Sequence, residues 1–82
     1  MIKVYVRHSK EMPIAGQPSK VMIECDRHRE NAIVWGTKEQ AEHACGIFAS
    51  LDQSTEGCNC RNFRVEEMSA VQFVVACDSV LA

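Results

Sequence analysis

Apolar and polar residues alternate strictly over residues 2–7: Ile2, Val4 and Val6 fall on one face, and Lys3, Tyr5 and Arg7 on the other. A period of two is the signature of a half-buried strand. Residues 20–26, KVMIECD, repeat the pattern with Val21, Ile23 and Cys25 inward. Between them lies SKEMPIAGQPS, with Pro13, Gly16 and Pro18. Proline fixes φ and gives no ladder hydrogen bond, so the spacing predicts a wide loop over 9–19. RHREN reads as a tight turn, and AIVWG as a short third strand ending on a partly buried Trp35.

The pattern then changes period. In TKEQAEHACGIFASLD, Ala41, Ala44, Cys45, Phe48 and Leu51 recur at helical spacing, while Glu39, Glu42, His43 and Gln53 fall away from that stripe. Thr37 followed three residues later by Gln40 fits a capping box, and Glu39 suits the positive end of the helix dipole. Gly46 costs up to about 1 kcal/mol relative to alanine, which a close approach of helix and sheet would explain. After a second loop, QSTEGCNCRN, the segment FRVEEM places Phe63 and Val65 inward and Arg64 and Glu66 outward. The tail, SAVQFVVACDSVLA, fits either period. Its Val and Phe content favours a strand.

These elements predict a single α+β domain over residues 1–82. It has a small antiparallel meander of three to five strands with one helix on one face, in the order β-β-β-α-β(-β). Phe48 is the expected anchor of the helix, against Val4, Ile23 and Val65.

Composition narrows the function classes. With 82 residues, 46% apolar and 24% charged, the chain is an ordinary small globular domain. A chain this short buries about 60% of its unfolded surface, which leaves little room for a deep enclosed site. The first ten residues lack the apolar run of about 7–15 residues that an export signal needs. The longest apolar stretch, AVQFVVAC, is far short of the ~20 residues that span a bilayer. A cytoplasmic protein with no membrane contact is the expectation. Five cysteines, an odd number, fit reduced thiols. Charge is uneven: residues 1–30 hold six Lys/Arg and four Asp/Glu, and residues 31–82 hold three and seven, so +2 and −4 give the net −2.

Candidate chemistry centres on cysteine. Zinc takes about four sulfur or nitrogen ligands in a tetrahedron. Cys25 and His28 (C-x2-H) with Cys58 and Cys60 (C-x-C) are the sequence's candidate set. The opposing reading is a strand residue, a turn residue and two loop thiols, with neither metal nor disulfide in EGCNCRNF, and that is the primary expectation: no cofactor. Cys45 and Cys77 read as core thiols. A C-x-C pair lacks the C-x-x-C spacing of dithiol enzymes. No Ser/His/Asp set or phosphate loop is present, so no catalytic residue is assigned. A small cysteine-dependent enzyme stands as the last alternative. Lys3, Tyr5 and Arg7 would make a small stacking and phosphate face, but a pI of about 5.9 argues against a nucleic acid partner.

What remains is acidic surface. Glu39, Glu42, Glu56 and Glu66 are the candidate partner-binding residues, poised to meet a basic patch. In size, acidity and lack of a catalytic set, the chain resembles the small accessory proteins of phages and mobile elements, anti-CRISPR inhibitors among them. That resemblance, which covers size and composition alone, implies a non-enzymatic protein-binding module. It would inhibit a larger host protein or ribonucleoprotein complex. The small zinc-binding domain is the alternative.

Overall fold

The computed structural model describes residues 1–14, 17–50 and 60–80. It is an α+β fold in which β1 (Ile2–Ile14), β2 (Gln17–Asp26), β3 (Cys60–Ser69) and β4 (Gln72–Ser79) form one antiparallel sheet, with α1 (Lys38–Ser50) on one face. The strand order is β2-β1-β4-β3, so the sheet is not a meander: β1 is central and pairs with the last strand of the chain. The tail is a strand, as its composition predicts. No helix of the described residues is long and apolar enough to cross a membrane.

Two expectations fail for identifiable reasons. Residues 9–14 and 17–19 of the expected wide loop are instead a continuation of β1 and β2, paired through Ile14↔Gln17. Between Met12↔Lys20 and Ile14↔Gln17, β1 advances two residues and β2 three, so Pro13 and Pro18 fall inside a bulge. There a residue without an N–H breaks no ladder bond. The third strand predicted over AIVWG is a single bridge, Trp35↔Phe73. β1 pairs with β4 only from Ile2 to Tyr5 and thereafter turns to β2. Residues 33–35 cross the resulting cleft: the Ile33 N–H donates to the Val6 carbonyl (3.0 Å), and Trp35 and Phe73 exchange two bonds (2.8 and 2.9 Å). The cleft admits one pairing and no ladder. The element order is therefore β-β-α-β-β.

β1 follows the predicted parity: Val4 and Val6 are buried, and Lys3 and Arg7 on the other face are exposed. Ile23, Val75 and Cys77 share the buried face, while central β4 also buries Val74 and Ala76 on the opposite one. Val6, Ile23, Val75, Ala44 and Phe48 form the core cluster under α1, joined at its margin by Trp35, Cys45 and Phe63. Phe48 is thus the helix anchor, in one cluster with Val6, Ile23 and Val75, with the Phe63 ring 6.2 Å away. Thr37 caps α1 through its hydroxyl, which accepts the Gln40 N–H at 3.1 Å. Gly46 does not serve a close approach: a Cβ there meets nothing within 4 Å.

Candidate metal centre

Strand parity puts Cys25, on β2, inward beside Val6, and Cys77, on β4, inward beside Val4. Cys60 opens β3 opposite Ser79, two residues along β4 from Cys77 and so on the same face. The three Sγ atoms lie within 4.8 Å of one another. Cys25 Sγ is 3.4 Å from Cys60 Sγ and 3.8 Å from Cys77 Sγ. Cys77 is fully buried, and Cys25 and Cys60 are partly so.

This convergence needs a coiled sheet. β2 and β3 are its two edges, three strand spacings apart, or about 14 Å if flat. A cysteine reaches less than about 3 Å from its Cα. Sulfurs 3.4 Å apart therefore require the edges to curl towards each other. Two bulges beside the thiols supply that curl, since bulges bend and coil a strand. One lies in β1 between Val6 and His8, opposite Cys25–Glu24. The other lies in β3 between Arg61 and Arg64, where Asn62 takes a left-handed φ of 56°. Asparagine tolerates that conformation better than most residues.

Cys25 and Cys77 are each followed by an aspartate facing the other side, and each aspartate braces the chain beside it. Asp26, after Cys25, accepts the His28 N–H (2.8 Å) and the Asn31 amide (3.2 Å), fixing the turn into the short 3-10 segment Arg29–Asn31. Asp78, after Cys77, accepts the Asn62 amide (3.1 Å) and the Arg64 guanidinium (3.1 Å), pinning the β3 bulge. The His28 N–H and the Asn31 amide hold the Asp26 carboxyl below its usual range, and Asn62 and Arg64 do the same for Asp78. The contact between the two sulfurs lowers the Cys25 thiol and raises that of Cys77, burial adding to the rise.

The donor set differs from the sequence's candidate set. Cys25 and Cys60 are in it, and Cys77, expected as a core thiol, joins them. His28 is not: its exposed ring lies 3.8 Å from Glu30. Cys58 lies outside the described residues. Cys77 was hidden because it is 52 residues from Cys25, where no spacing motif reaches. The available signal was parity, which puts Phe73, Val75 and Cys77 on one face of a tail strand. The expectation of no disulfide in EGCNCRNF also fails, because Cys60 is disulfide-bonded, whereas Cys25, Cys45 and Cys77 are free thiols.

Of the acidic candidates, the described ones lie on two elements. Glu39 and Glu42 are exposed on α1, with Glu42 3.9 Å from Lys38. Glu66 follows inward-facing Val65, so it lies on the sheet face away from the helix, where it pairs with Lys3. Lys3 in turn lies over the Tyr5 ring at 5.5 Å, so the suggested stacking and phosphate face is engaged within the protein. Glu56 lies outside the described residues.

Zinc binds thiolate at about 2.3 Å, which sets the sulfur–sulfur edge of its tetrahedron at about 3.8 Å. The Cys25–Cys77 contact of 3.8 Å equals that edge, and the Cys25–Cys60 contact of 3.4 Å is a little shorter. Three soft donors on three strands can thus hold one tetrahedral ion and leave its fourth position to another donor. A disulfide sulfur carries no thiolate charge, so the full donor set exists only when Cys60 is reduced. No family model, no curated protein and no solved structure matches this chain.

Proposed function

We propose that this chain is a small non-enzymatic domain that binds a soft divalent metal, zinc by preference, through the thiolates of Cys25, Cys60 and Cys77. The observation that carries the reading is the convergence of three sulfurs from three strands within 4.8 Å of one another, with Cys25 3.4 and 3.8 Å from the other two. Ordinary core thiols also touch, but they need not meet in threes across both edges of a sheet. Zinc here would tie β2, β4 and β3 together and close the curl that a domain this small holds with few other contacts.

The test is native intact mass of the fully reduced chain, with zinc and after chelation. One zinc per chain is expected, lost in chelator. Zinc at a hundred times its Kd should raise stability by about 2.7 kcal/mol. Cys25→Ser and Cys77→Ser should abolish both effects, and Cys45→Ser should abolish neither. A reduced chain that keeps no zinc, and melts the same with and without it, overturns the reading.

A further inference from the structure

We infer that Cys25 and Cys60 form a thiol–disulfide exchange pair that switches this corner of the sheet between an oxidised, metal-free state and a reduced, metal-binding one. Cys60 is disulfide-bonded, and a free thiol, Cys25, stands 3.4 Å from its sulfur. Reacting atoms about 3–3.5 Å apart are in near-attack range. The two residues come from opposite edges of the sheet, 35 positions apart. A bond between them would staple the curl covalently, where the metal would staple it by coordination.

The exchange itself balances without an external oxidant, whereas forming the pair from the reduced, metal-bound chain takes a two-electron oxidant of the low-molecular-weight disulfide class, which accepts the two electrons and leaves as two thiols. The Cys25 thiolate attacks Cys60 Sγ and the Cys25–Cys60 bond forms. The bond from Cys60 to its present partner breaks, and that sulfur leaves with the electron pair and takes up the proton Cys25 gave away. The number of disulfides is unchanged. Return to the metal-binding state needs a dithiol reductant. It attacks the Cys25–Cys60 bond, gives two electrons and two protons to the pair, and is itself oxidised to a disulfide. Zinc then displaces the thiol protons. The metal half of this switch rests on the function proposed above, but the exchange half does not.

The experiment equilibrates the full chain in a glutathione thiol/disulfide buffer, quenches it with acid and an alkylating agent, and maps the disulfides by non-reducing digestion. A parallel sample is loaded with zinc, oxidised with diamide and then reduced with dithiothreitol, with free zinc followed throughout. A Cys25–Cys60 linkage is expected as a major species, together with zinc release on oxidation and re-uptake on reduction. Cys25→Ser should lose that linkage, and Cys25→Ala provides the same test should the serine variant fold poorly. Cys45→Ser should behave as the parent. If zinc binds but Cys60 is never found joined to Cys25, the switch is overturned and the metal site stands. If the linkage forms but the reduced chain takes no zinc, the exchange pair stands and the metal reading falls. If neither is seen, both fall.

Discussion

Under α1, Val6, Ile23, Ala44, Phe48 and Val75 make an apolar core from three strands and a helix. Adjoining it on the same sheet face, with Cys25 packed against the core cluster, Cys25, Cys60 and Cys77 make a corner of three sulfurs, also from three strands. The two regions share strands and parity but are held differently. In the core many apolar contacts each contribute a little, so the cluster is complete in any redox state. The corner holds a few soft, reactive atoms whose mutual contacts are weak until a metal or a covalent bond joins them. A single sheet can therefore combine a part that is always assembled with a part whose assembly depends on chemistry.

Truncating the core is the largest way to break that contrast. Phe48→Ala removes a buried ring and leaves a cavity, at a cost of about 3–5 kcal/mol. That is most of what a domain of this size has. The loss should be the same with and without reductant or zinc, measured by thermal melts in each condition. A loss that appeared only in reduced protein would show that core and corner are one unit, not two.

The core was far more legible in the sequence than the corner. Val4, Val6 and Ile23 are marked by alternation, Ala41, Ala44 and Phe48 by helical period, and Thr37 by its spacing to Gln40. Each signal is local. The corner depends on β1 pairing with β4, a choice made between the two ends of the chain, and on bulges that curl the sheet. Register of that kind leaves no mark on neighbouring residues. Cys25 and Cys60 were recognisable as candidate ligands. His28 enters through a C-x2-H spacing that the turn at Asp26 directs to solvent, and Cys77 reads as a core thiol because a free cysteine packs as a small hydrophobe. The prolines misled for a related reason: Pro13 and Pro18 break a strand unless a bulge absorbs them, and whether one does is set by the partner strand.

A smaller test asks whether the helix is optimised as part of the core. Thr37→Ala removes the cap and should cost about 1 kcal/mol. Gly46→Ala faces open space and should gain about 0.4–1 kcal/mol by restricting the unfolded chain. The two changes lie more than two helical turns apart and should nearly cancel when combined, by the additivity of distant sites. Chemical denaturation of the four proteins reads this out. A destabilising Gly46→Ala would mean that the outer face of α1 meets something the open space around Gly46 does not show.

The smallest expected effect belongs to the two aspartates that brace the corner. Asp26 and Asp78 sit on the far sheet face, each next to a cysteine of the cluster, and each is hydrogen-bonded more favourably as a carboxylate than as an acid. Their native pKa values are therefore depressed. The sign follows from linkage. The unfolded aspartate titrates at about 3.9, so the stabilisation is fully present well above that value and is lost as pH falls through the lower native value. Solvent reaches both groups, which keeps the effect small. Asp78→Asn should therefore melt slightly below the parent at pH 7, and the gap should close as the pH falls towards 2. Asp26→Asn should do the same. Because Asp78 pins the Asn62 bulge next to Cys60, its variant should also loosen the thiol corner, and the disulfide of Cys60 should reduce faster under dithiothreitol while Phe48 stays packed. If the Asp78→Asn gap were the same at pH 3 and pH 7, the carboxylate would not be the stabilising form. If the Cys60 disulfide reduced at the parental rate, the bulge would be held by the strand alone, and the corner would be as self-sufficient as the core beside it.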